Sequence, residues 1–185
     1  MKELSLHILD IIQNSIAAGA ELVTLEITED TEKDLFAFTV TDNGKGMSKE
    51  YVEAVMDPFT TSRTTRKVGL GIPLLKHACE AAGGSLEIRS QVGRGTAVEA
   101  RFGYSHIDRQ PLGDMAQTMH GLITAHPGVD FVYRHWVNGK QFSADTREMK
   151  TILSGVPLDQ PEVLLWLLDY LRDGEQSLYQ EDSEE

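Results

Sequence analysis

Asp10 and Asn14 stand four residues apart in the opening apolar-periodic segment. On a helix that separation puts a carboxylate and an amide oxygen on one face, and His7, three residues before Asp10, shares it. Such oxygen donors suit Mg2+, a hard cation that keeps several of its waters. Asn14 is placed to hold the metal, and Asp10 to accept a proton from a water beside it. A second group is Asp42-Asn43-Gly44-Lys45-Gly46-Met47, closing an alternating stretch. Read plainly it is a turn. Read chemically, Asp42 accepts from an exocyclic amine while Gly44 and Gly46 let backbone approach a flat ring. That arrangement selects adenine over guanine, which carries a carbonyl at the equivalent place. A third group, Val68 to Pro73, puts Gly69 and Gly71 at the entry to a helix, where open N–H groups and the helix dipole attract phosphate. Last comes Gly93-Arg94-Gly95-Thr96, a hairpin turn that can bring Thr96 to the base pocket.

The elements that must position these groups are legible from periodicity. Residues 3–18 read as a helix, with Leu4, Ile8, Ile11, Ile12 and Ile16 at helical spacing and Gly19 as its stop. Residues 22–28 and 35–41 alternate as strands. A short helix is expected over 49–56, a long loop over 57–69, and a helix over 71–82 with Pro73 in its first turn and Gly83-Gly84 after it. Strands at 85–90 and 96–102 follow. The order α-β-β-loop-α-β-β implies an α+β fold, a two-layer sandwich with helices on one face of a largely antiparallel sheet. Beyond 102 the pattern gives a helix over 112–125, a hairpin of 129–137 and 140–144 across Asn138-Gly139, and helices over 146–154 and 161–172. This C-terminal part reads as a small α+β extension (103–172) packed on a first domain (1–102). An acidic, solvated, disordered tail is expected over 173–185.

Composition narrows the function. The 185 residues carry a formal net charge of −12, which argues against a general nucleic-acid or anionic-membrane partner. Against that background the stretch between Asp57 and Glu80 has no acid, yet it holds Arg63, Arg66, Lys67 and Lys76. A small polyanion such as a nucleoside triphosphate would account for the island. The lone Cys79 excludes an internal disulfide. The N-terminus does not read as a signal peptide, and no apolar run is long enough to span a bilayer, so a soluble cytoplasmic protein is expected. His120, His126 and His135 have no metal-ligand spacing, so no zinc site is expected.

In this order the four groups resemble the nucleotide-binding domain of the GHKL ATPase superfamily, which includes gyrase B-type topoisomerases, ninety-kilodalton heat-shock chaperones, histidine kinases and MutL-type repair proteins. Ile11 to Ala20 resembles the N box, Asp42 to Met47 the first glycine box, and Asp57 to Ser62 the F box of histidine kinases. Gly69-Leu70-Gly71 resembles the second glycine box, and Gly84 to Phe102 the closing strand pair. The resemblance covers residues 1–102 and implies a Bergerat-type fold binding ATP and Mg2+. It implies Asn14 on the metal, Asp42 on adenine, and Asp10 as the catalytic carboxylate. Nucleotide contacts would come from Gly44, Gly46, Met47, Phe59, Thr60, Arg63, Arg66, Lys67, Gly69, Leu70, Gly71 and Thr96, with 57–69 as an ATP lid. The lid and second glycine box are similar to histidine kinases, whereas Asn14-Ser15-x-x-Ala18-Gly19-Ala20 is similar to MutL.

Two departures shape the expectation. Hydrolysing members place Glu where this chain has Asp10, one methylene shorter. A misplacement of about 1 Å can cost on the order of 10²-fold in rate, so hydrolysis should be slow or absent. The second is that histidine kinases carry a helical phosphoacceptor hairpin upstream of this domain, and this protein is expected to lack one. His106-Ile107-Asp108-Arg109-Gln110-Pro111 shares the His-to-Pro spacing of an acceptor site, but it lacks the following acid and reads as a linker. The favoured expectation is γ-phosphate transfer to an unidentified protein partner in trans. The alternative is an ATP-dependent conformational switch with slow hydrolysis, and homodimerisation stays open.

Overall fold

A computed structural model describes residues 2–57 and 71–181. Helix α1 (Leu4–Ala17) buries Leu4, Ile8, Ile11 and Ile12, the stripe its spacing demands. It ends at Gly19, whose φ of 78° is open to glycine without cost. Strands β1 (Leu22–Asp30) and β2 (Leu35–Asp42) pair antiparallel from Val23↔Asp42 to Asp30↔Leu35. Both alternate between buried and part-exposed positions, as a sheet with one packed face requires. Then come α2 (Lys49–Met56), α3 (Gly71–Ala81), β3 (Ser85–Gln91) and β4 (Gly95–Gly103). Ser48 caps α2 by accepting from the Tyr51 N–H. Val23, Leu25, Ile27, Phe36, Phe38, Val40, Val98, Ala100 and Phe102 form the sheet's side of the core.

The C-terminal part joins this sheet. Helix α4 (Met115–Ala125) leads into β5 (Asp130–Val137), which pairs parallel with β1 from Leu22↔Asp130 to Glu29↔Val137. β6 (Lys140–Asp145) closes the hairpin over Asn138-Gly139, both at positive φ. The sheet order is β3-β4-β2-β1-β5-β6, so six strands run without a break across the boundary expected at residue 102. Helices α5 (Thr146–Ile152) and α6 (Pro161–Ser177) follow, and α6 packs on α4.

Two expectations are corrected. Helix α4 starts at Met115 rather than 112 because Asp114 caps it by accepting from the Gln117 N–H. Gly113 before it holds φ 89°, and a Cβ there would lie 2.4 Å from Ser5 Oγ. The solvated tail expected from Asp173 does not hold over residues 173–181. α6 runs to Ser177, and Leu178 is buried just beyond it. The acid count misled because Glu175 turns inward to a buried partner. Among the described residues no helix is long and apolar enough to cross a membrane.

Candidate functional site

Asp42 ends β2 and is buried. Its Oδ2 accepts from Ser15 Oγ at 2.6 Å, and its Oδ1 accepts from the Gly44 N–H at 2.9 Å. Hydrogen bonds to an ionised carboxylate are the strong kind, so the side chain is held in one orientation. Ser15 belongs to α1, one residue past Asn14, and thereby ties the N-box helix to the strand end. Thr96 lies opposite Asp42 in the β2–β4 register.

The loop after Asp42 is pinned on both sides. Asn43 Oδ1 accepts from the Glu21 and Leu22 N–H groups at 2.8 and 2.9 Å, which fixes the turn to the start of β1. The Lys45 N–H donates to the Ala18 carbonyl at 2.9 Å, and the Gly93 N–H to the Lys45 carbonyl at 2.7 Å. The Met47 N–H donates to Ser90 Oγ at 2.8 Å, and Ser90 Oγ lies 2.8 Å from Thr96 Oγ1. Gly46 holds φ 68°, and a Cβ there would fall 2.0 Å from the Gln91 carbonyl oxygen. A Cβ on Gly44 would lie 2.9 Å from the Ala18 carbonyl oxygen. Backbone approach within the protein therefore already demands glycine at both places.

Asp10 and Asn14 are half-buried on α1. Gly71 opens α3, and a Cβ on it would lie 1.6 Å from Asp10 Oδ2. The carboxylate of the first group thus rests against the glycine of the third, at the end of α3 where N–H groups are unpaired within the helix. His7, one turn earlier, is buried, and desolvation lowers its pKa below the ordinary imidazole value. Both the Gln110 side chain and Asp10 lie within electrostatic reach of its ring.

Asp10, Asn14, Asp42, Gly44, Gly46, Met47, Gly71 and Thr96 lie on α1, the β2 end with its loop, the α3 start and β4. Phe59, Thr60, Arg63, Arg66, Lys67, Gly69 and Leu70 lie outside the described residues. Sequence reasoning missed Ser15, Asn43 and Ser90 as the groups that fix the site. Ser15 was the findable one: it neighbours Asn14 and sits four residues after Ile11, so it must face inward.

A family model described as histidine kinase-, DNA gyrase B-, and HSP90-like ATPase matches residues 2–106. The non-motile and phage-resistance protein of Caulobacter vibrioides is 33% identical over 112 residues, 56% of this chain and 13% of its own length. Sporulation kinase D of Bacillus subtilis is 34% identical over 91 residues, 49% of this chain and 18% of its own. The chain thus spans less than a fifth of either relative. A solved structure described as the N-terminal domain of a DNA repair protein superposes with a TM-score of 0.53 at 14% identity, over 77% of this chain and 52% of that one. That is a likeness of fold.

Proposed function

The chain belongs to the histidine kinase-, DNA gyrase B- and HSP90-like ATPase family, and from that premise we propose that it binds Mg·ATP and passes the γ-phosphate to a separate protein. The observation that carries the reading is Asp42, a buried carboxylate oriented by Ser15 and Gly44 beside the face that holds Asn14. Each carboxylate oxygen can accept a further hydrogen bond. The exocyclic amine of adenine fits that vacancy, and guanine does not.

Mg2+ fits the donor set. Asn14 offers one hard oxygen, half-buried and adjacent to Ser15. Among the described residues no cluster of three or more His, Cys, Asp or Glu side chains could hold a metal on its own. A magnesium ion carried mainly by phosphates and water needs no more than one protein ligand. Bound there, the ion would neutralise phosphate charge. Asp10 would hold or move a proton at its carboxylate, and the Gly71 end of α3 would receive phosphate through the helix dipole.

His106 is a poor acceptor within the same chain. Its N–H donates to the Gly103 carbonyl, and Gly103 pairs with Leu35 at the start of β2. Asp42 ends that strand seven residues later, roughly 23 Å away at about 3.3 Å per residue. A second reading, an ATP-dependent switch, is favoured by the parallel pairing of β5 on β1, which couples the C-terminal elements to the sheet that ends in the site.

One experiment separates the two. The protein is incubated with Mg2+ and γ-labelled ATP, alone and with candidate acceptor proteins, and label on protein is counted against free phosphate. Label moving to another protein supports the kinase reading. Multiple turnovers of free phosphate with no labelled protein support the switch. Asp10→Asn, which keeps the shape and loses the base, is the control.

A further inference from the structure

His135 on β5 has no exposed side-chain surface, and it touches a carboxylate at each ring nitrogen. Nε2 lies 3.0 Å from Glu29 Oε1 on β1, and Nδ1 lies 3.0 Å from Glu175 Oε2 on α6. A neutral imidazole has one N–H and serves only one such acceptor; both contacts are satisfied together only by the protonated ring. Two tyrosines complete the cluster. The Tyr133 hydroxyl donates to Glu175 Oε1, and the Tyr179 hydroxyl donates to Glu29 Oε1 at 2.6 Å. Three chain segments far apart in sequence thus meet at one buried proton, at the end of the sheet away from Asp42.

The attachment of the C-terminal segment is divided in two. Before Gly174, α6 is held by Val163, Leu167 and Leu171 in the core. After it, the ties are Glu175, Tyr179, buried Leu178, and Lys140 Nζ donating to the Gln180 carbonyl. Gly174 lies on the Phe142 ring, where a Cβ would fall 2.1 Å from a ring carbon. Glycine is the weakest helix former short of proline, so the helix is easiest to open there. A cavity of about 320 Å³ borders Glu175 and Tyr179 on the side of residues 112–116. The second half of the segment therefore rests mainly on polar ties and one buried leucine, with space beside it.

We propose that this cluster is a proton-dependent latch, which clasps Glu175 to Glu181 onto the sheet and lets that segment swing out about Gly174 when the proton on His135 is lost. With a neutral ring, one carboxylate faces a nitrogen lone pair in a buried place, and the segment carrying Glu175 is the part able to leave. The groups facing His135 are Glu29 from β1, Tyr133 from β5, Glu175 from α6 and Tyr179 after it. Arg109 and Tyr104 of the linker lie close enough to act on Glu29 and Tyr179. Arg172 and Asp114 line the neighbouring cavity. Both tyrosine hydroxyls are pushed up from the ordinary phenol value by burial first and by the glutamates second, so they keep their protons while His135 titrates. The two carboxylate partners overcome the desolvation of His135 and raise it to about 9. The latch is closed at neutral pH and opens on the alkaline side.

The test is millisecond hydrogen exchange read by mass spectrometry on the full chain from pH 5.5 to 10.5, with rates corrected for their intrinsic pH dependence. The expected result is full protection of residues 175–181 up to about pH 6.5, then a progressive fall of at least tenfold that is complete a little above pH 9. Peptides from β1 and β2 hold their protection over the same range. Glu175→Gln should lower protection of 175–181 about tenfold at pH 7 and flatten the profile. Tyr179→Phe, which removes one hydroxyl, should lower it by about threefold and leave the profile's midpoint in place. The proposal is overturned if protection of 175–181 in the unaltered chain does not change with pH. It is equally overturned if that protection is lost only together with β1 and β2, or if Glu175→Gln keeps the unaltered profile.

Discussion

Ser15→Ala removes one hydroxyl and tests how far the nucleotide site depends on a fixed Asp42. Ser15 Oγ lies 2.6 Å from Asp42 Oδ2, and both residues are buried. Hydrogen bonds to a charged group contribute roughly 1.5–3 kcal/mol, and leaving one partner buried without the other forfeits that amount. Gly44 N–H remains on Oδ1, so the carboxylate keeps one tether and gains rotational freedom. The chain should then melt roughly 3–12 °C lower, using 2–4 °C per kcal/mol for a protein of this size. Nucleotide affinity should fall by roughly tenfold, because about 1.4 kcal/mol of orientation must be regained on binding. Ser15→Thr retains the hydroxyl and should recover most of the affinity. Titration calorimetry with Mg·ATP, together with a melting scan, reads both effects. Unchanged affinity in Ser15→Ala would refute the idea that Ser15 orients the adenine-binding carboxylate, even with a lower melting temperature.

Other perturbations have defined outcomes. Gly46→Ala should destabilise by about 2–4 kcal/mol, because φ is 68° and the new Cβ would meet the Gln91 carbonyl; urea unfolding measures it. Asp10→Asn should bind ATP normally and lose all turnover or transfer; activity that survives would remove Asp10 from the role of base. Stability should also depend on pH through the His135 cluster. Because His135 is raised to about 9, its contribution is complete below the ordinary value of 6.5 and is lost as pH climbs through 9. That loss is on the order of 3 kcal/mol. Glu29 is lowered, held down by His135 and Tyr179 against the opposing desolvation, so its contribution is present above 4.5 and lost as pH falls further. Denaturant midpoints between pH 4 and 10 should therefore show a plateau that declines at both ends.

Elements governed by local pattern were legible in the sequence. The isoleucine stripe of α1, the alternation of β1 and β2, and the Asn138-Gly139 hairpin all appear within a few residues of where periodicity put them. What periodicity could not supply was register over long separation. Nothing near Asp130 announces that β5 pairs parallel with β1, more than a hundred residues earlier. For the same reason the chain read as a domain with an attachment, whereas one sheet serves both parts. The sequence around His135 marks no partner for it, because its two carboxylates come from β1 and α6. At the candidate site, Asp10, Asn14 and Asp42 stand out in the sequence because polar side chains at helical spacing and at a strand end are visible there, and the structure places them on α1 and at the end of β2. Asn43 and Ser90 act by holding backbone, a role that composition does not mark.

The most direct test of the account is equilibrium binding of Mg·ATP and Mg·GTP to the intact chain and to Asp42→Asn, followed by calorimetry. The account expects ATP to bind the unaltered chain, GTP to bind at least tenfold more weakly, and Asp42→Asn to bind neither while remaining folded, with a cooperative melting transition. Normal ATP affinity in a folded Asp42→Asn chain would contradict it, since the buried carboxylate held by Ser15 and Gly44 would then not be where adenine is read.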